Sequence, residues 1–292
     1  MTDGLPTPPI PDGFLRRWCD TLATGAESPP EAFLPTGLAM LSAVAGPRLV
    51  MRWGVAHEER CNLWILNVGA SALARKTSGL AGLRAAAKWA ANGDDLRTLN
   101  VARISDAGLV NSLDVVGPDT AKAKLEQDDP TKDPDPVIRH VPVSWITIFN
   151  EIAPIWLEDG PGWAMDAQRA LLAIYDGQLG STTRATAVPH QECFVTAIGN
   201  IPPGVLREHT TLGMLSSGFV GRWIAIPTPA PDTYVSFPQP DGADPLRALE
   251  GDVRHLAKIA RTRSRNTVND MWTPDAIHLR DEWYRQTRRR IE

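Results

Sequence analysis

The chain is short of most features that would announce a function. Its three cysteines, Cys19, Cys61 and Cys193, are odd in number, far apart and without paired histidines. That pattern argues against a disulfide framework and a zinc site and reads as reduced thiols. No run of about 18 apolar residues occurs, so no membrane-spanning helix and no membrane partner are expected. The N-terminus, MTDGLPTPPIPDG, lacks the charged and apolar regions of a signal peptide, which points to the cytoplasm. There is no excess of positive charge: the net value of −4 excludes a uniformly basic nucleic-acid coat and confines any contact with DNA or RNA to a local patch. No G-x-S-x-G elbow is present and the six histidines are scattered, which leaves no basis for a serine or cysteine hydrolase. A dinucleotide site needs G-x-G-x-x-G after its first strand, and Gly69 stands alone there. No internal repeat is visible.

What the chain does have is enough apolar sequence for a sizeable core, with 43% hydrophobic residues over 292 positions. Residues 1–12 are rich in Pro and Gly and read as a disordered tail. A helical prologue follows over 13–54, with FLRRWCDTLA, a proline-containing break, PEAFLPTGLAMLSAVAG and a short strand in RLVMRWG. Residues 55–240 then alternate apolar strands with helices. The strands are Leu63 to Val68, Val143 to Phe149, ECFVTAIGN and GRWIAIPT, and the helices are Ser78 to Asn92, Ile104 to Val116, Trp163 to Tyr175 and Pro203 to Leu215. Near-continuous apolar strands separated by helices predict an α/β fold with a mostly parallel sheet, in which ligands bind at the carboxyl ends of the strands. A polar stretch over 117–140, with four prolines, reads as a solvated insertion. From 241 to 292 the chain becomes helical and more basic, with 11 Lys/Arg against 7 Asp/Glu from Arg247 onward. This is either a solvated helical face or a nucleic-acid surface.

The most informative segment is NLWILNVGASALARKTS. A buried strand runs into Gly69 and small residues and ends on Lys76-Thr77. Such a loop lets backbone N–H groups approach a phosphate while the next helix presents the positive end of its dipole. Lys76 would neutralise terminal phosphates and Thr77 would hold Mg²⁺, with Gly69, Ser71, Ala74, Arg75 and Ser78 completing the cradle. The spacing departs from G-x-x-x-x-G-K-[ST]. Lys76 lies seven residues after Gly69, Ala74 stands where the second glycine belongs, and Arg75 is interposed. Taken alone, the loop is equally an αβ turn before an Ala-rich helix with a surface lysine.

Four further residues complete a phosphoryl-transfer set. Glu151 follows an apolar strand, where a carboxylate would polarise an attacking water. Asn150 precedes it, where an aspartate would give a stronger direct or water-mediated metal contact. Asn200 ends a later strand and is either a γ-phosphate sensor or a turn residue. Arg222, in SSGFVGRW, is either an arginine finger for a neighbouring subunit or a salt-bridged surface arginine. Trp64, Trp145 and Trp223 lie within or beside apolar strands and read as core rather than base-stacking platforms.

In the order and spacing of NLWILNVGASALARKTS, ITIFNE, ALLAIYDG, FVTAIGNIPPG and GFVGRWI, the chain resembles a family of phage and plasmid replication-associated proteins with a RecA-like P-loop ATPase core. The resemblance spans roughly Ala32 to Trp283. It implies a hexamer-forming ATPase related to replicative helicases, using ATP and Mg²⁺ on single-stranded DNA, with a separate primase or polymerase as partner. It implies phosphate and Mg²⁺ contacts for Lys76 and Thr77, catalysis by Glu151, sensing by Asn200 and a finger in trans at Arg222. The family's Asp-Glu pair is Asn150-Glu151 here. The substitution leaves open a hydrolysis-deficient, nucleotide-gated scaffold or loader.

Overall fold

The computed structural model describes residues 9–24, 26–46, 49–53, 57–70, 76–91, 96–101, 144–156, 162–176, 194–229, 245–262 and 274–291. The expected insertion over 117–140 and the helix expected from Ile104 to Val116 lie outside these residues.

The helices are α1 (Phe14–Ala23), α2 (Leu34–Ala45), α3 (Lys76–Ala90), α4 (Ala153–Trp156), α5 (Gly162–Tyr175), α6 (Pro203–His209), α7 (Leu212–Ser216), α8 (Pro245–Thr262) and α9 (Pro274–Ile291). The strands are β1 (Val50–Trp53), β2 (His57–Arg60), β3 (Trp64–Val68), β4 (Leu96–Val101), β5 (Ser144–Phe149), β6 (Phe194–Ile201) and β7 (Trp223–Pro227). β1 and β2 form an antiparallel ribbon. The other five build one sheet in the order β4-β5-β6-β3-β7, with every pairing parallel.

β3, β5 and β6 are buried along their whole length, as a parallel sheet covered on both faces requires. Alternation along each strand assigns the two faces. Ile65, Ile146, Ile148, Ile198 and Ile226 face a core shared with α1, α2, α3 and α8. Trp64, Leu66, Val68, Trp145, Phe149 and Trp223 face a second core closed by α4, α5, Met214 and Phe219. The tryptophans expected in the interior are there: Trp64, Trp145 and Trp223 are at most 7% exposed. The rings of Trp64 and Trp223 pack tilted at 5.0 Å between centroids, and burial of each large side chain contributes roughly 1.5–3 kcal/mol.

Several expectations shift at this level. Of the tail expected to be disordered over 1–12, residues 9–12 are described, and there Ile10 is buried in the first core and accepts a hydrogen bond from Arg16 on its carbonyl. The helix expected from Pro203 to Leu215 breaks in two, because Thr211 turns its hydroxyl onto the N–H of Met214 and caps α7. β4 adds an edge strand that the sequence reading does not include, its middle polar and half-exposed. Prologue helices α1 and α2 and the C-terminal helix α8 pack with α3 into one core, so residues from both sides of 54/55 and 240/241 stabilise the same face of the sheet. Among the described residues no helix is long and apolar enough to cross a membrane.

Candidate functional site at the carboxyl edge of the sheet

β3 ends at Val68, and Gly69 is held beside β6 by its N–H, which donates to the carbonyl of Ile201 at 3.2 Å. Residues 71–75, and with them Ser71, Ala74 and Arg75, lie outside the described residues. The chain re-enters at Lys76, the first residue of α3, with Thr77 and Ser78 exposed in the first turn. The Lys76 ammonium turns back toward the strand and donates to the carbonyl of Gly69. Lysine and glycine thus close the two ends of the loop on each other. Burial pushes the Lys76 ammonium below its ordinary range, and the nearby charge of Glu151 opposes that shift.

Glu151 is brought to the same place by a close contact between β6 and the segment after β5. Ile152 donates its N–H to the carbonyl of Asn200 at 3.0 Å. A Cβ on Gly199 would come within 2.9 Å of Ile152 Cβ, so only glycine lets that segment lie so close to β6. The Glu151 carboxylate accepts the N–H of Ala153 at the start of α4. The residue is exposed as a whole, but partial desolvation of its carboxyl raises it above the ordinary range, against the lowering effects of Lys76 and of that hydrogen bond. Lys76 and Glu151 therefore stand within electrostatic reach of each other at the ends of β3 and β5.

Asn200 lies between them in the sheet, on β6, and is 2% exposed. Its Oδ1 accepts a hydrogen bond from Asn67 Nδ2 at 3.1 Å. Asn67 Oδ1 in turn receives the hydroxyl of Thr228, which follows β7. Neither Asn67 nor Thr228 is prominent in the sequence. Each matters only because β6 and β7 flank β3 in register, Asn67 opposite Asn200 and Ile226.

Asn150 does not face this centre with a free oxygen. Its Oδ1 accepts Arg84 Nη2 at 2.6 Å, and Arg84 Nε donates to Asn100 Oδ1 at 2.6 Å. Arg84 thereby pins the ends of β4 and β5 to α3.

Arg222 is placed elsewhere. It precedes β7, whose first residue pairs with Trp64 at the start of β3, so it sits at the amino edge of the sheet. Five residues of strand separate the two edges, about 16 Å. Its Nη2 holds both oxygens of Asp176 at 3.0 Å, its Nη1 donates to the carbonyl of Gly218, and its guanidinium lies over the Tyr175 ring. Gly218 has φ +75, and a Cβ there would meet Arg222 Nη1 at 2.8 Å.

Among the described residues there is no cluster of three metal-binding His, Cys, Asp or Glu side chains. A magnesium ion bound with a nucleotide does not need one, since phosphate oxygens and water fill most of its shell. The exposed Thr77 hydroxyl and the Glu151 carboxylate are the groups offered here. Cys19 is buried and its thiol is pushed up to about 12, which removes it as a nucleophile. Compared with known proteins, the chain matches no protein-family model and no curated protein.

Proposed function

We propose that the chain is a RecA-like P-loop ATPase, the motor domain of a helicase-like protein that acts on single-stranded DNA in phage or plasmid replication. One observation carries the reading: a lysine, a carboxylate and a buried asparagine converge at the carboxyl edge of a parallel sheet, at the ends of β3, β5 and β6. Insertion of β6 between the loop strand and the acid strand is what brings the three together, and this is the edge at which such sheets bind ligands.

In this reading Lys76 leaves the Gly69 carbonyl for the phosphates, an exchange favoured because a desolvated ammonium gains more from an anion than from a neutral carbonyl. The N-terminus of α3 adds its dipole. Glu151, made more basic by burial, orients and deprotonates the attacking water. Asn200 donates to the terminal phosphate. Thr77 and, through water, Glu151 would hold Mg²⁺, whose chemistry is to neutralise charge on the phosphate oxygens. A homo-hexamer in the cytoplasm, with a separate primase or polymerase, fits the same scheme. Arg222 is too far from its own chain's site to act there, so any catalytic role is toward a neighbouring subunit and requires release from Asp176. The surface for DNA is the basic C-terminal region, where Arg247, Lys258, Arg285 and Arg289 are exposed.

A second reading is favoured by two specific contacts. Asn150 is bound to Arg84 and Arg222 is bound to Asp176, so two groups of the catalytic set are occupied within the chain. A hydrolysis-deficient, nucleotide-gated scaffold or loader would keep them so. Turnover measured with and without single-stranded DNA separates the readings. Stimulated hydrolysis that Glu151→Gln abolishes supports the motor. Nucleotide-dependent assembly with no turnover supports the scaffold.

A further inference from the structure

Thr228, Asn67 and Asn200 form a buried chain of side chains across three strands, and its direction determines which atom Asn200 presents to the site. Thr228, Asn67 and Asn200 are each at most 2% exposed. The Thr228 hydroxyl donates to Asn67 Oδ1, and Asn67 Nδ2 donates to Asn200 Oδ1. Asn200 Oδ1 is thereby consumed. Its NH₂ has no acceptor among the described residues, and it belongs to a side chain on the face of the sheet that α3 covers.

Both amides could in principle turn over together. Asn67 would then donate to Thr228, Asn200 would donate to Asn67, and Asn200 would present a carbonyl oxygen instead. In that arrangement the Thr228 proton has no acceptor among the described residues, whereas in the observed one it is satisfied. Both directions leave donors unpaired, but the first leaves them on Asn200, whose NH₂ is not among the sealed unpartnered atoms of the described residues, and the second strands the Thr228 proton behind Asn67, so the hydroxyl favours the first direction. A presented NH₂ attracts a phosphate oxygen, and a presented carbonyl repels one.

We propose that Thr228 and Asn67 are positioning residues that hold Asn200 with its NH₂ toward the site, making the edge selective for a nucleotide with a terminal phosphate in reach of that donor. This rests on the nucleotide reading above and adds to it the two residues that set which atom Asn200 offers to the terminal phosphate. The direction is set outside the loop, from the far side of β3, by a residue that touches no ligand.

The test compares equilibrium binding of ATP and ADP to the full chain and to Thr228→Val, Thr228→Ser and Lys76→Ala, with thermal unfolding of each. Valine keeps the shape of threonine and removes the donor, and serine keeps the donor. Loss of one charge-assisted hydrogen bond is expected to weaken ATP binding by about tenfold or more in Thr228→Val while ADP binding holds. Thr228→Ser should restore the difference. If Thr228→Val unfolds early, the serine variant and an Asn67→Asp variant carry the comparison, since a carboxylate at 67 accepts from Thr228 but cannot donate to Asn200 and should likewise erase the preference for ATP. Equal losses for ATP and ADP, or an unchanged preference in both Thr228→Val and Asn67→Asp, overturn the assignment while the nucleotide reading stands. Absence of any nucleotide binding by the unsubstituted chain overturns both.

Discussion

The two edges of the five-stranded sheet are built from similar residues and treat them differently. At the amino edge most polar groups pair with one another, Arg222 Nε and Trp223 Nε1 being buried exceptions without a partner among the described residues. Ser42 of α2 bonds the carbonyl of Cys61, the N–H of Leu63 and the hydroxyl of Thr196, Ser144 bonds the carbonyl of Ala43, and Arg222 takes both oxygens of Asp176. At the carboxyl edge the groups are held in place but left short of partners. Lys76 is desolvated against a neutral carbonyl, Glu151 is shifted toward its protonated form, and the NH₂ of Asn200 has no acceptor among the described residues. The first edge ties prologue and sheet together. On the proposed reading, the second keeps its Lys76 ammonium and Asn200 NH₂ for an anion.

The contrast is broken if a residue of the amino edge proves to serve binding in a single subunit, or if one of the carboxyl edge proves to serve stability. The larger effect is expected at Arg222. Arg222→Ala removes an ion pair in which Nη2 meets both Asp176 oxygens, a carbonyl contact and the cation over Tyr175. The pair is half-exposed on its Asp176 side, so the cost is discounted to about 2 kcal/mol. Chemical denaturation should show that loss, with nucleotide binding by the monomer unchanged. A stable variant with weakened binding would move Arg222 into the site.

The smaller effect is expected at Glu151 and carries a sign. Its carboxyl is raised in the folded chain, so on ionisation it costs stability, and that cost is present above the ordinary carboxylate range and absent below it, where folded and unfolded chains are both protonated. Glu151→Gln should therefore raise the Tm of the nucleotide-free protein at neutral pH, and the gain should disappear as the pH falls through the ordinary range of a glutamate. A Tm that drops at neutral pH would show the carboxylate to be structural.

How much of this was legible depended on whether a residue's role is local. β3, β5 and β6 are legible because a strand buried on both faces is apolar throughout, and the positions of Gly69, Glu151 and Asn200 are legible because they stand at the ends of such strands. β4 escaped because an edge strand mixes Leu96 and Val101 with Arg97, Thr98 and Asn100. Its helix-like neighbours on either side hid it further. Asn67, Thr228 and Arg84 escaped for a different reason. The bond from Arg84 to Asn150 spans 66 positions, and those joining Asn67 to Asn200 and to Thr228 span 133 and 161. Those contacts follow from the strand order, which places β6 and β7 on either side of β3, and no local pattern encodes that order.

If the carboxyl edge takes a nucleotide, the ammonium of Lys76 is its counter-charge. Equilibrium titration of ATP with Mg²⁺ into the unsubstituted chain and into Lys76→Ala tests it directly. The account predicts saturable binding that falls by about 100-fold or more in the variant, from loss of a charge-assisted contact in a desolvated site, with a folded structure retained. Equal affinity in the two proteins would contradict it.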